Sequence, residues 1–408
     1  MKFTEVKGGV CAARGFSASG VHCGIRPHHE KLDLALISAD VRCAAAGVYT
    51  TNKICGAPIT VDRMHLQDGY AQAIVVNSGN ANTCAPGGVQ LALDTCQLVA
   101  DALHIAKEDV LPASTGVIGQ PMQLTPFAAG IPQAAAQLTH EASGSLQAAT
   151  AIMTTDTYPK EYAFSFTLGG KTCHLGAIGK GSGMIAPNMA TMLEFYTTDA
   201  AISPQMLQKA LSDVVPGTYN QMSVDRDTST NDTLILMASG LAGNEPVTGP
   251  GEDYDTFFEA LTAIAEHMCR EHAGDGEGAS KLLVCEVTGA PTLEVARAVS
   301  KSVVTSDLLK AAMFGQDANW GRILCAIGYT PGDFDVSRIN VTLKSAAGEV
   351  WVCENAAYHP YSEEEAAEVL KEKEIGILVD MKTGPFSAKA WGCDLTYEYV
   401  KINGDYRT

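Results

Sequence analysis

From Lys180 to Leu193 the chain reads Lys-Gly-Ser-Gly-Met-Ile-Ala-Pro-Asn-Met-Ala-Thr-Met-Leu. Glycines at 181 and 183 let this loop adopt backbone geometries that other residues resist, so it can be bent close to a reacting carbonyl. A threonine at 191 behind the small Ala190 has a specific chemistry open to it. Its hydroxyl can attack the Ala190 carbonyl and exchange the peptide bond for an ester, which water then cuts. Thr191 would afterwards own a free α-amine, able to act as the base for its own hydroxyl. The same residues also describe an ordinary Gly-rich turn leading into a buried strand over Met192–Tyr196, and spacing alone leaves both readings open.

Acyl transfer also needs donors aimed at the oxygen that becomes negative in the tetrahedral intermediate. Ser114-Thr115-Gly116 is the best candidate: read as a turn, it combines a glycine whose N–H can approach closely with a threonine hydroxyl. Lys180, eleven residues before Thr191, suits a substrate carboxylate, because an ammonium is a strong point donor. A phosphate role for it fails on pattern, since a P-loop would need glycine at His174 and Ser or Thr at Gly181. His28-His29-Glu30 reads as a surface turn rather than a metal site. Asp225-Arg226-Asp227 reads as a local charge network able to orient the loop. Asn319-Trp320-Gly321-Arg322 reads as packing. Cys84 has no histidine near it in sequence to activate its thiol.

The elements that must position these groups alternate between strand-like and helix-like segments, which predicts a mixed α/β architecture. Strands are expected at Leu32–Ile37, Ala73–Asn77, Leu234–Ala238, Leu282–Val287 and Ile375–Met381, the second running into an Asn-rich loop over Asn77–Asn82. Helices are expected at Val89–Ile105, at Thr292–Met313 as one long amphipathic unit, and at Ser362–Glu374 with Ser362 as its cap. Gly249–Asp253 reads as a loop. At 408 residues with 46% hydrophobic content, the chain can build two substructures or one large domain. A formal net charge of −18 argues against a nucleic-acid partner and, more weakly, against an anionic membrane surface. No stretch has the length of apolar sequence that spans a bilayer, and Met1–Val10 lacks the apolar region of a secretory leader. The twelve cysteines are scattered without a Cys-x-x-Cys pair, so most of them read as small buried residues of a reducing cytoplasm, and the set does not read as disulfides or metal ligands.

The 180–193 segment closely resembles the self-cleavage site of the ornithine acetyltransferase (glutamate N-acetyltransferase) family of arginine biosynthesis. The resemblance extends to Asn77–Asn82, Ser114–Gly119, Met153–Thr157, Ser223–Thr233, Asp275–Ala279, Asp317–Arg322 and the tail Lys401–Thr408, all in family order. It implies cleavage at Ala190–Thr191 into an α chain, 1–190, and a β chain, 191–408, which intertwine in one mixed α/β fold and pair further into a heterotetramer. It implies Thr191 as nucleophile, Thr115 and Gly116 as the oxyanion hole, and Thr154, Lys180, Thr191, Glu277, Asn403 and Thr408 as substrate contacts. Glu277, between two glycines, would meet the δ-ammonium of ornithine. The implied reaction is ping-pong acetyl transfer from N2-acetyl-L-ornithine to L-glutamate, with no metal or redox cofactor. Some members also use acetyl-CoA as a co-substrate, and no motif in this chain separates them from those that only recycle. A self-cleaving aminopeptidase or amidase, in which water takes the acyl group, is the alternative enzyme. A binding protein that keeps the fold without the chemistry is the alternative of another kind.

Overall fold

The computed structural model describes residues 2–26, 30–186 and 192–405. His28, His29, Ala190, Thr191 and Thr408 therefore lie outside the described residues. Two sheets carry the described fold. The larger is built from β1 (Thr4–Glu5), β2 (Phe16–Val21), β3 (Leu34–Tyr49), β4 (Tyr70–Asn80), β5 (Val110–Val117), β6 (Lys160–Leu168), β7 (Lys171–Lys180), β8 (Leu193–Thr198) and β9 (Thr233–Ala238). Its order is β1-β6-β7-β8-β9-β3-β4-β5, with β2 paired beside β3. Strands β8 and β9 thus sit between β7 and β3, so residues after 191 are interleaved with residues before 190 in one hydrogen-bonded sheet.

Register explains why the central strands are apolar along their whole length. Ile178, Phe195 and Ile235 stand side by side and face one core, while Ala177, Tyr196 and Leu236 face the other. Both faces are covered, so the two-residue alternation of a half-exposed strand is replaced by a continuous apolar run. Helices α1 (Ala57–His65), α2 (Gly88–Leu103), α3 (Thr125–Ala136) and α4 (Ala142–Ile152) belong to the first half of the chain. Helices α5 (Pro204–Val214) and α6 (Glu252–Gly274) cover the face lined by Tyr196 and Leu236, with Leu207, Leu211, Phe257 and Leu261 in that core.

The second sheet runs β13-β12-β11-β14-β10-β15, from β10 (Leu282–Ala290), β11 (Asn340–Ser345), β12 (Gly348–Glu354), β13 (Ala357–Tyr358), β14 (Glu374–Asp380) and β15 (Phe386–Cys393). It packs on α7 (Leu293–Val304), α8 (Asp307–Phe314), α9 (Trp320–Gly328) and α10 (Glu363–Lys371), and α11 (Tyr397–Asp405) follows its last strand. The two layers are continuous: Trp391 of β15 is 1% exposed in the core of the larger sheet, and its carbonyl accepts the Ser223 N–H at 2.9 Å.

Most expected elements are present, with three corrections. The single helix over Thr292–Met313 is two, because Thr305 turns its hydroxyl back onto the Lys301 carbonyl (2.8 Å) and Ser306 caps a new helix through the Leu309 N–H. Ser114-Thr115-Gly116 is the end of strand β5 rather than a turn, and the strand β4 runs on through Asn77 to Asn80. Parallel pairing of the two strands, which is non-local, decides both. Gly251 is the residue before α6, so the expected Gly249–Asp253 loop already includes helix at Glu252 and Asp253. Ser362 caps α10 as expected, accepting the Glu365 N–H at 3.2 Å. Among the described residues no helix is long and apolar enough to cross a membrane.

Candidate active site

At the ends of β4 and β5 the paired backbones become irregular, with Asn80 opposite both Thr115 and Val117. Gly116 has φ +128°, and a Cβ there would lie 2.3 Å from the Gly79 carbonyl carbon. Only glycine fits this crossing of two backbones. Behind it, Asn231, which precedes β9 in the chain, holds the strand ends. Its amide donates to the carbonyls of Ala81 and Ser114 (2.9 Å to the latter), and its oxygen accepts the hydroxyls of Thr83 and Thr230, each at 2.6 Å.

Lys180 closes strand β7 opposite Leu193, the first residue of β8. It is 8% exposed, with its ammonium 3.4 Å from the Thr115 hydroxyl oxygen. Burial holds its pKa below the ordinary lysine value, and the nearby Asp156 acts in the opposite direction. Asp156 accepts from the Lys160 ammonium (2.8 Å), the Gly181 N–H (2.8 Å) and the Thr154 N–H (3.0 Å). Burial opposes its ionisation, but Lys160 and Lys180 outweigh it and keep the carboxyl far below the usual carboxylate range. Lys160 also pairs with Asp275, so one buried ammonium joins two carboxylates.

That triad connects three loops. Asp275 accepts the Thr157 N–H at 3.0 Å, the Ser182 hydroxyl donates to the Asp275 carbonyl at 2.7 Å, and the Glu277 N–H donates to the Ser182 carbonyl at 2.8 Å. Glu277 is thereby delivered beside Gly183, where a Cβ would lie 2.3 Å from its carboxyl carbon. Asn403 of α11 donates to the Glu277 carboxylate at 2.7 Å. On the loop's other side, Asp225 accepts the N–H groups of Met184 and Ile185, both at 2.7 Å, and Met184 sits at φ +56°. The Asp225–Asp227 segment is thus a loop anchor through Asp225, while Arg226 pairs outward with Asp307.

A cavity of ≈ 100 Å³ is lined by Thr115, Gly116, Thr154, Lys180, Glu277 and Asn403, six of the residues singled out in sequence. It also touches Ser229, Thr230 and Asn231, to which sequence reading assigned no site role. Their signal was the uninterrupted polar run Thr228–Asp232, a composition that suits hydrogen bonding to loops rather than a core strand. Met192, the residue after Thr191, accepts the Thr233 N–H at 2.9 Å, which fixes the start of β8 beside this polar run. Cys84 is exposed and does not line the cavity. Among the described residues no group of three or more His, Cys, Asp or Glu side chains is placed to hold a metal.

The ArgJ family model matches residues 17–408. The chain belongs to the ArgJ family. The arginine biosynthesis bifunctional protein ArgJ of Caldanaerobacter subterraneus subsp. tengcongensis is 49% identical over 396 residues, covering 97% of both chains. That of Symbiobacterium thermophilum is 47% identical over 403 residues, covering 98% of this chain and 99% of its own. The crystal structure of the ArgJ protein from Bacillus halodurans is 45% identical with a TM-score of 0.50, spanning 53% of this chain and 100% of that one. The mixed α/β sheets described above are thus those of an ArgJ-family chain.

Proposed function

We propose that this ArgJ-family chain cleaves itself at Ala190–Thr191 and carries acetyl from N2-acetyl-L-ornithine to L-glutamate through an acetyl-Thr191 ester. The observation that carries the reading is the joint lining of one small cavity by Thr115, Gly116, Thr154, Lys180, Glu277 and Asn403. A break at that junction leaves 218 residues, 53% of the chain, in the second piece, the same share that the whole Bacillus halodurans chain covers.

In this mechanism the Thr191 hydroxyl attacks the acetyl carbonyl while its own α-amine takes the proton. The Thr115 hydroxyl and the Gly116 N–H receive the developing oxyanion, a contribution of roughly 3 kcal/mol per donor. Lys180, buried at the end of β7, meets the α-carboxylate, with Thr154 and Thr408 as further polar partners. Glu277, held by Asn403, meets the δ-ammonium and sets the preference for a basic side chain. Ornithine leaves, glutamate attacks the ester, and N-acetylglutamate departs. Hydroxyl, amine and N–H donors suffice for every step, so the reading calls for no metal or redox cofactor. Acetyl-CoA is the second donor to assay: acetylation of Thr191 from it would add N-acetylglutamate synthesis to recycling. The unpaired cysteines support a reducing, cytoplasmic setting, and two copies of each cleaved chain form the assembly we assign.

Intact mass of the purified protein tests the first half. Two fragments, the second beginning at Thr191, are expected, whereas Thr191→Ala stays a single 42.9 kDa chain without transferase activity. A cleaved and active Thr191→Ala protein would refute the mechanism. Transfer to glutamate against hydrolysis in its absence separates the transferase from an aminopeptidase or amidase.

A further inference from the structure

His272 and Glu194 form a fully buried pair that the proposed chemistry leaves unused. His272 stands in the last turn of α6, and its Nε2 meets Glu194 Oε1 of β8. Its Nδ1 lies 3.3 Å from the carbonyl oxygen of Gly181. A carbonyl only accepts, so Nδ1 carries the proton and donates to Gly181. Glu194 and Nε2 then share the remaining proton, and the pair is neutral overall whichever of them holds it. Burial drives the Glu194 carboxyl above its ordinary value, and His272 counters this. The sheet makes room for the carboxylate: a Cβ on Gly179 would lie 2.4 Å from Glu194 Oε1.

The two partners of this histidine flank the processing segment. Gly181 lies ten residues before Thr191, and Glu194 lies three residues after it. The Gly181 peptide is held at both ends, its N–H by Asp156 (2.8 Å) and its carbonyl by His272. On the same buried side the Tyr196 and Tyr219 hydroxyls bond to each other.

We infer that His272 is a positioning residue for self-processing: it donates to Gly181 and pairs with Glu194, and so ties together residues 181 and 194, the two described flanks of the stretch that holds the scissile junction. The inference rests on the self-cleaving reading above. An error of about 1 Å in such an alignment costs on the order of a hundredfold in rate. Two substitutions separate the contacts. His272→Gln can keep a polar group near Glu194 and loses the Gly181 donor. His272→Asn keeps a donor at the Nδ1 position and loses Glu194.

The experiment follows self-cleavage of freshly expressed precursor on denaturing gels, with thermal melting of each variant, and in parallel hydrogen–deuterium exchange of the 181–194 peptide in the uncleavable Thr191→Ala background. His272→Gln should slow cleavage tenfold or more and raise exchange of that peptide, with exchange of the β4–β5 ends unchanged. Glu194→Gln should act in the same direction, and His272→Asn should recover most of the Gly181 protection. Exchange of the 181–194 peptide unaltered by His272→Gln, or equal loss of protection throughout the sheet, overturns the clamp. The exchange arm decides this even if the parent chain never cleaves, an outcome that would instead remove the self-processing reading.

Discussion

Among single residues, Lys180 and Thr115 carry the most testable parts of the proposed chemistry. Removing the Thr115 hydroxyl with Thr115→Ala should lower kcat by about a hundredfold, with KM nearly unchanged, because in the proposed mechanism the group acts on charge that appears only in the transition state. Thr115→Ser should restore most of it, and steady-state kinetics with acetylornithine and glutamate would check both. Burial depresses the Lys180 pKa, so its ammonium is lost at a lower pH than an exposed lysine's. KM for acetylornithine should therefore begin to rise before about pH 10, the ordinary lysine range. A KM that stays flat through that range would remove Lys180 as the carboxylate partner. Glu277→Gln should raise KM for acetylornithine by roughly thirtyfold, equivalent to about 2 kcal/mol for one charged hydrogen bond, while leaving the glutamate half-reaction less affected.

At the scale of elements, the three loops around the cavity depend on one buried ammonium. Lys160→Met would strand the Asp156 and Asp275 carboxylates without their cation, at a cost of about 3–5 kcal/mol near neutral pH. The sign with pH follows from Asp156. Its folded pKa lies below the unfolded value, so its stabilising contribution is present above the ordinary carboxylate pKa and is lost as pH falls beneath it. Urea unfolding should show the wild-type protein weakening below about pH 4. The gap between wild type and Lys160→Met should close over the same range, since protonation relieves the unpaired Asp156 carboxylate. Helix α11 makes a separate contribution, holding Glu277 through Asn403. Deleting the chain from Tyr397 onward should abolish turnover of acetylornithine, and a truncated enzyme at full turnover would exclude a role for the tail.

For the whole molecule, the strand order has a consequence for the proposed cleavage, in which residues 1–190 would be the first fragment and 191–408 the second. Two strands of the second fragment lie between strands of the first, each bonded along its length on both sides. The fragments should therefore co-elute on size exclusion after complete cleavage and separate only when the fold is denatured. Unfolding should be measured as one cooperative event for the larger sheet, because residues 177, 196 and 236 share a core with α5 and α6. Fragments that part in native buffer would contradict this arrangement.

Sequence by itself determined the local features. The capped α10, the apolar runs of β9 and β10, and the family motifs could all be read from neighbouring residues, since each depends on short-range spacing, whereas spacing alone left the Lys180–Thr191 loop open to two readings. Tertiary structure decided which distant segments meet. Thr115 and Gly116 belong to a strand end and not to a turn because β4 pairs alongside them, an interaction across more than thirty residues of chain. The Asp156–Lys160–Asp275 triad and the buried His272–Glu194 pair were illegible for the same reason. Their members are ordinary charged residues in sequence, and burial together in a low-dielectric interior is what makes them specific partners.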